Sequence, residues 1–300
     1  MVDKLPKVSL GLPVYNGEKY LTHALIRLLE QDYEDFELII SDNLSTDGTS
    51  EICKKYARID RRIRYFRNNQ NIGLAANHNR TFQLARGQFF KWVAHDDDFP
   101  RSMLSRFVRA LEGASPHVCL VYSFCEYVDE DGKIENIDSD RIALHSLWPH
   151  NRLAHVLRNI HMYNSIYGLI RSDVLRQTHL HGLFPGSDHV LLSELAMLGI
   201  FEEICEPLLR IRRHAGRSFT RHKELAELRE LFNPGRTESF SILGLWGRVN
   251  LELVRSALLI PKEIKDKILC TAVALSFPHY CTIRNYAGKQ KRKVLQILSS

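Results

Sequence analysis

Three consecutive carboxylates, Asp96, Asp97 and Asp98, follow the apolar run at residues 89–94. Carboxylates this close repel one another by about a few kcal/mol unless water or a cation neutralises them. Mg²⁺ and Mn²⁺ prefer oxygen ligands, and Mg²⁺ commonly binds one or two carboxylates together with substrate phosphates. The cluster therefore predicts a divalent-metal site for a phosphorylated substrate. The alternative is structural, because Asp98 can also cap a helix that begins near Pro100.

A second polar segment, residues 42–49, follows the apolar run at residues 36–40. Asp42 stands where that run ends, and its carboxylate can accept hydrogen bonds from a nucleobase N–H or a ribose hydroxyl. A turn and a helix cap explain the same segment, with Asp47 or Thr46 as the cap and Gly48 easing the bend. We assign the ligand role to Asp42 and the cap to Asp47.

Two further groups stand in the second half of the chain. Asp188 opens an apolar helical segment, so it is either an N-cap or a functional carboxylate. Residues 210–218 are dense in cations and include His214. Such a loop can close over a diphosphate, with His214 ligating a metal or donating to phosphate. A structural or solvated histidine is the alternative.

Alternating elements are predicted to position these groups. Short apolar runs predict strands at 8–14, 36–40, 63–66 and 89–94, and helical spacing predicts helices at 18–31, after 49 and at 74–85. Further strands are predicted near 118–122, 166–170 and 204–211, where the sheet is expected to become mixed. The alternation is typical of an α/β fold with a mostly parallel sheet covered by helices. Ligands bind beyond the carboxyl ends of such strands, so the loops after 14, 40 and 94 are expected to converge.

The chain resembles family-two glycosyltransferases of the GT-A fold. Four segments carry the resemblance, in order, across roughly residues 6–99: VSLGLPVYNGEKYL, LIISDNLSTDGTSEI, NIGLAANHNRTFQLARGQFF and KWVAHDDD. The resemblance implies an inverting enzyme that moves a sugar from a nucleotide diphosphate sugar, UDP-linked, to an acceptor hydroxyl. It also implies Mn²⁺ or Mg²⁺ as cofactor and a place in polysaccharide, cell-surface glycan or glycolipid synthesis.

The resemblance assigns roles to individual residues. It makes Asp188 the catalytic base and places Asp97 or Asp98 on the metal, because the triple Asp satisfies the DxD motif in more than one register. His214 is expected to complete the metal site. The residues expected to bind the nucleotide sugar are Pro13, Tyr15, Asp42, Asn71, Arg80 and Asp96, the last near the ribose.

The chain departs from the family's pattern at two positions. His78 stands where many members carry an arginine near the diphosphate, and neighbouring Arg80 is the candidate substitute. Ala94 stands where many members begin an Asp-x-Asp-Asp run, which leaves the site to the later acids.

Composition narrows the class of protein and its surroundings. The 300 residues are 44% apolar and 25% charged, and the six cysteines form no CxxC pair, which favours an ordinary globular protein of the cytoplasm. We identify neither a signal peptide nor a membrane-spanning run. Residues 1–220 are predicted to form the glycosyltransferase domain and 221–300 a helical extension.

The net charge of +6 lies at the C-terminus, where residues 261–300 hold eight Lys and Arg against two acids. A nucleic-acid-binding face of the whole protein is therefore not expected. A solvated helical tail and a tail in peripheral contact with an anionic membrane, at its inner face, both fit this charge.

Other functions fit less well. A nucleotidyltransferase needs a Gly-rich, Arg-containing phosphate loop after the first strand, and a Rossmann dehydrogenase needs GxGxxG; neither is present. A metal-dependent hydrolase leaves Asp42 unexplained. A catalytically inactive sugar-nucleotide-binding protein is disfavoured by Asp97 and Asp188.

Overall fold

The computed structural model of the chain describes residues 5–160, 164–214, 225–235 and 244–277. Within these residues one sheet contains β1 (Val8–Val14), β2 (Phe36–Asp42), β3 (Ile63–Arg67), β4 (Phe89–Trp92), β5 (Val118–Val128), β6 (Ile134–Asp138), β7 (Leu169–Arg171) and β8 (Ile200–Arg212). The helices are α1 (Glu18–Leu29), α2 (Thr49–Ile59), α3 (Leu74–Gln83), α4 (Met103–Gly113), α5 (Pro149–Asn159), α6 (Ser172–Leu175), α7 (Ser187–Leu198), α8 (Leu225–Phe232), α9 (Gly244–Leu259) and α10 (264–277).

The sheet is mixed, as predicted. Its order is β3-β2-β1-β4-β7-β5-β6, and β8 also pairs with β5. The pairs among β1 to β4 are parallel, β7 runs antiparallel to both β4 and β5, and β8 runs parallel to β5. Six strands, β1 to β5 and β8, therefore point the same way, and we call the side where they end the carboxyl edge.

The four strands predicted before residue 95 are confirmed, although β4 ends at Trp92 rather than at residue 94. Two later strands are longer than predicted, because β5 reaches Val128 and β8 begins at Ile200. Strand β6 was not predicted. It is exposed along most of its length and pairs only with the C-terminal half of β5, so its sequence shows no apolar pattern.

Apolar side chains fill both faces of the sheet, as expected for strands that are covered on both sides. Every residue of β1 is buried. In β4, Phe89 packs into the cluster beneath α1 and α4, while Phe90 and Trp92 face the cluster beneath α7. Because the side chains on both faces of the sheet are buried, the sequences of these strands are nearly continuous apolar runs.

A third apolar cluster joins the C-terminal helices to the rest of the molecule. Most of its members come from α5, α7, α9 and α10, and they include Leu153, Leu157, Val190, Val249, Leu253 and Phe277. The predicted boundary near residue 220 lies outside the described residues and stays a prediction. None of the described helices is long and apolar enough to cross a bilayer.

Candidate functional site

Three loops meet at the carboxyl edge, as the sequence predicted. The backbone N–H of Asn16 donates to Ser45 Oγ at 3.0 Å, and Asn16 Oδ1 accepts from the N–H of Thr46 at 2.9 Å. Gly17 lies against His95, where an added Cβ would sit 2.5 Å from the ring carbon Cδ2. The loops after β1, β2 and β4 therefore form one continuous surface, and a larger residue than glycine would separate them.

The three carboxylates of the acidic cluster have different surroundings. Asp96 Oδ2 lies 2.9 Å from His214 Nε2, and these side chains are only 15% and 8% exposed. Asp97 is buried, and its Oδ1 accepts from the N–H of Arg212 at 3.3 Å. The end of β8 thus brings His214 to Asp96 and Arg212 to Asp97.

Asp98 faces the cations of the surrounding fold. Its Oδ1 lies 3.2 Å from His23 Nε2 and 3.1 Å from Arg27 Nε, and its backbone pairs with that of Arg210 in both directions. Burial opposes ionisation, yet Arg27 and His23 hold the pKa of the Asp98 carboxyl below its usual value. Asp98 therefore links β8 to α1, through its backbone bonds to Arg210 and its side-chain contacts with His23 and Arg27.

The predicted cap at Asp98 is wrong, because α4 begins at Met103 after Ser102. Its role as a metal ligand stays a prediction. Asp96 and Asp97 lie beside His214 and Arg212, whereas Asp98 pairs with Arg210, two residues earlier in β8. No group of three or more His, Cys, Asp or Glu side chains in the described part of the chain is preformed to hold an ion.

Aromatic and acidic neighbours hold the end of β8 in place, and the sequence did not single them out. The ring of Tyr20 stands 4.7 Å from that of His214, and its hydroxyl donates to Glu130 Oε2 at 3.1 Å. Lys19 pairs with the same carboxylate at 2.7 Å, and Arg212 Nη1 donates to the carbonyl of Glu130 at 2.9 Å. These contacts join residues more than 80 positions apart, so no local pattern indicates them.

Asp42 lies at the predicted end of β2, but its side chain is 0% exposed. Oδ1 accepts from the N–H of Ser45 and Oδ2 from the hydroxyl of Tyr65, both at 2.8 Å. A nucleobase N–H would have to displace the Tyr65 hydroxyl to reach it. Its role in base binding stays a prediction. The cap predicted at Asp47 is wrong in position, because Gly48 is the N-cap of α2. Asp47 stands one residue earlier, and its Oδ1 accepts from the N–H of Thr49 at 3.1 Å.

The other residues predicted to bind the nucleotide sugar lie at different depths. Pro13 is buried in β1 beside Ser41, whereas Tyr15 is exposed beyond the end of that strand. Asn71 Oδ1 accepts from Asn43 Nδ2 at 2.7 Å, so it braces the loop before α3. Of these three residues, Tyr15 and Asn71 are exposed and Pro13 is buried.

Arg80 and His78 stand on α3, where the family's pattern predicts a cation. Arg80 Nε is buried and has no hydrogen-bond partner among the described residues, which leaves a donor for an anion. Burial lowers the pKa of His78 to about 4, and its Nδ1 donates to the carbonyl of Leu74 at 2.9 Å. His78 is therefore neutral at physiological pH and does not replace the family's arginine.

Asp188 is the second residue of α7, and Gly186 with φ 83° occupies the capping position before it. The alternative that Asp188 is the N-cap is therefore wrong. Burial raises the pKa of the Asp188 carboxyl to about 6, and the nearby carboxyl of Asp140 acts in the same direction. Such a group can accept a proton near neutral pH.

Helix α7 places Asp188 at the carboxyl edge. At the far end of α7 the carbonyl of Leu195 accepts from Cys119 Sγ at 3.5 Å, next to the start of β5. Twelve helical residues span roughly 18 Å, so the first turn returns to the edge where β5 and β8 end. Charge interactions support this placement, because Asp140 lies near Asp188, and both Asp140 and Asp97 lie near Cys125 of β5.

Glu194, the other carboxylate of α7, lies inside the molecule. Its carboxylate accepts from the N–H of His179 at 2.8 Å and from Ser256 Oγ at 2.5 Å, and it is within 2.7 Å of His179 Nδ1. These protein groups surround it, so we retain Asp188 as the candidate base.

The cations predicted to close over a diphosphate are partly described. Arg210 Nε pairs with Glu126 at 2.7 Å and Arg213 Nη1 with Glu135 at 3.2 Å. Residues 215–218 lie outside the described residues. Closure of this loop over the donor stays a prediction.

Comparison with known proteins gives the family. The model of glycosyl transferase family 2 matches residues 9–178, more than half of the chain. The chain belongs to glycosyl transferase family 2. It is a glycosyltransferase, as the motifs predicted.

Two relatives show how far the likeness extends. An uncharacterized glycosyltransferase of Haemophilus influenzae is 23% identical over 295 residues, which cover 95% of this chain and 89% of that protein. The GalNAc(5)-diNAcBac-PP-undecaprenol beta-1,3-glucosyltransferase of Campylobacter jejuni is 31% identical over 121 residues, which cover 39% of each protein.

Two solved structures confirm the GT-A fold. S. aureus TarS 1-349 in complex with UDP has a TM-score of 0.57 at 18% identity, covering 91% of both chains. Mannosyltransferase PcManGT from Pyrobaculum calidifontis, in complex with GDP-Man and Mn²⁺, has a TM-score of 0.52 at 17% identity, covering 95% of this chain and 85% of that one.

Proposed function

We propose that this glycosyltransferase moves a sugar from a nucleotide diphosphate sugar, UDP-linked, to a hydroxyl of a glycan or glycolipid acceptor, with inversion and with Mn²⁺ or Mg²⁺. The position of Asp188 carries the proposal, because a carboxyl whose pKa is near 6 stands at the edge that also bears Asp96 and His214. The names of the Campylobacter relative and of TarS with UDP support a lipid-linked acceptor and a UDP donor.

The chemistry expected at Asp188 is a single displacement. Its carboxylate accepts the proton of the acceptor hydroxyl while the acceptor oxygen forms a bond to the anomeric carbon. The bond between that carbon and the diphosphate oxygen breaks on the opposite face, and the nucleotide diphosphate leaves. Because one displacement occurs, the configuration at the anomeric carbon inverts.

Asp96 and His214 fit a divalent cation. A carboxylate oxygen and an imidazole nitrogen 2.9 Å apart are a mixed O and N donor pair that suits Mn²⁺, and Asp97 stands beside them. Two or three protein ligands leave positions for phosphate oxygens and water, which is the usual arrangement for Mg²⁺ with nucleotides. The bound ion would offset the negative charge of the diphosphate. The neighbouring Tyr20 ring and Glu130 hold His214 toward Asp96.

The experiment tests donor binding and transfer separately. UDP- and GDP-sugars are titrated into the protein with Mn²⁺, with Mg²⁺ and with EDTA. Transfer to acceptors is monitored through the release of the nucleotide diphosphate. We expect His214→Gln and Asp97→Ala to weaken metal-dependent donor binding by tenfold or more. Asp188→Asn should keep donor binding within about twofold and lose transfer by roughly 10²–10⁴-fold, the range for a general base.

Asp173→Asn is the matched control, because Asp173 is also the second residue of a helix but is exposed. It should leave binding and transfer unchanged. Transfer at the normal rate by Asp188→Asn would show that the base is misassigned. Absence of nucleotide binding with every ion would overturn the proposal as a whole.

A further inference from the structure

Large apolar side chains are exposed on the outer sides of α9 and α10. Each of the following is more than half exposed: Leu251, Leu258, Leu259, Ile264, Ile268 and Leu275. We call this set the C-terminal apolar face. Soluble proteins seldom expose concentrated apolar patches unless the patch contacts another surface, and none of these residues belongs to the site at the carboxyl edge.

The face on α10 is a narrow stripe. At about 100° per residue, Ile264, Ile268 and Leu275 fall within roughly 40° of one another around the helix axis. The opposite side of α10 packs into the third apolar cluster through Cys270, Ala274 and Phe277. Helix α10 therefore has two separate apolar sides, and folding buries only one of them.

Basic groups border this stripe. Lys265 and Lys267 flank it at roughly 80° on either side, whereas Asp266 lies on the opposite side of the helix. Lys265 Nζ is 4.7 Å from the centre of the Trp148 ring, which is itself half exposed. An apolar stripe bordered by lysines and a tryptophan is the composition of helices that lie in a membrane interface.

The charge of the C-terminal sequence favours one kind of partner. Residues 261–300 hold eight Lys and Arg against two acids, and residues 278–300 contain five of these cations and no Asp or Glu. A second copy of this face would bring like charges together, whereas anionic lipid headgroups complement it. We propose that the C-terminal apolar face binds the surface of an anionic lipid bilayer, with α9 and α10 lying in its plane. This proposal does not rest on the proposed donor or metal.

Co-sedimentation of the full chain with vesicles tests the proposal. One set of vesicles is phosphatidylcholine and the other an equal mixture of phosphatidylcholine and phosphatidylglycerol. We expect the protein to bind the mixed vesicles preferentially and to release as salt rises, because surface attraction is screened. Replacing both Ile264 and Ile268 with serine should lower the partition coefficient by at least about tenfold, since both lose apolar contact.

The control replaces Ile59 and Ile137 with serine; these side chains are 68% and 52% exposed but lie on α2 and β6. Their loss should leave vesicle binding unchanged. Lys265→Gln with Lys267→Gln should reduce the preference for the anionic vesicles. Thermal unfolding confirms that each variant folds.

Three results would overturn the proposal. The first is equal absence of binding to both kinds of vesicle, and the second is binding that survives the Ile264→Ser and Ile268→Ser pair. The third is self-association without lipid that the same pair abolishes, which would make the face an interface between two copies of the chain.

Discussion

The carboxyl of Asp188, the proposed base, is half-buried, and the surroundings that raise its pKa would favour proton transfer at the expense of stability. Burial disfavours the ionised form and raises its pKa to about 6. A base whose pKa lies near the working pH is both largely ionised and able to take a proton. The ionised carboxylate is, however, less stable in the folded protein than in the unfolded chain, where water solvates it fully.

The rate of transfer should depend on pH through Asp188. Because only its ionised form can accept a proton, kcat/KM should fall about tenfold per pH unit below pH 6. A pH series with a saturating divalent ion and circular dichroism at each pH provides the measurement. A rate that stays level down to pH 4.5 in the folded enzyme would contradict the assignment.

The stability of the protein should depend on the same group in the opposite sense. The folded-state pKa of Asp188 lies above its ordinary value of 3.8, so the folded state binds more protons between about pH 4 and 6. Stability contributed by the protonated form is therefore lost as pH rises through 6. Asp188→Asn should raise the free energy of unfolding at pH 7 by about 1–3 kcal/mol, with little gain at pH 4. Denaturant unfolding at both pH values tests this, with Asp173→Asn as the control that should show no pH-dependent difference.

At the scale of elements, β4 places the ionisable side chain of Lys91 in the interior of the protein. Lys91 is fully buried; its Nζ donates to the carbonyl of Tyr167 and lies 4.6 Å from the ring centre of Phe107. Burial lowers its pKa to about 7, because the charged ammonium loses hydration inside the sheet. The strand just before the acidic cluster is thus destabilised by its own lysine at neutral pH.

The Lys91→Met variant tests whether the buried lysine lowers the free energy of unfolding, through the pH dependence of that free energy. The folded-state pKa of about 7 lies below the ordinary 10.5, so the unfolded chain binds more protons between these values and wild-type stability gains with pH. The variant should be more stable than wild type at pH 7, and that difference should shrink by about 1.4 kcal/mol per pH unit up to pH 9. Parallel urea titrations at pH 7, 8 and 9 measure the slope, which does not depend on how well methionine packs. A constant difference across the series would show that Lys91 titrates normally.

At the scale of the molecule, the third cluster makes the C-terminal helices part of the same folding unit. Leu253 of α9 is buried there with Leu153 of α5 and Val190 of α7. Helices that share an apolar core with their neighbours unfold together with them. We therefore expect one unfolding transition for the described helices and the sheet.

Leu253→Ala should move that whole transition. Deleting a buried leucine side chain costs about 2–5 kcal/mol, and the midpoint measured by calorimetry should fall accordingly. Leu251→Ala, two residues away and 53% exposed, is the control that should change the midpoint little. A split into two transitions, only one of which shifts, would instead indicate an independent C-terminal unit.

Local patterns predicted much of the fold because their physical causes are local. Leu10, Leu12 and their neighbours make β1 a continuous apolar run, and α1 shows its buried face at helical spacing through Leu21, Leu25 and Leu28. Strand β6 escaped prediction because its residues are exposed and only its pairing with β5 makes it a strand.

The sequence by itself determined the family, the parallel β1–β4 core and the acids at the carboxyl edge, because motifs and periodicity depend on neighbours along the chain. Tertiary structure decided what each acid contacts. Asp96 lies against His214, Asp97 against the Arg212 backbone and Asp98 against Arg27, and these partners are 71 to 118 positions away in the sequence. Asp42 is likewise buried, and its Oδ2 accepts from the hydroxyl of Tyr65 on the adjacent strand, a contact that no pattern along β2 encodes.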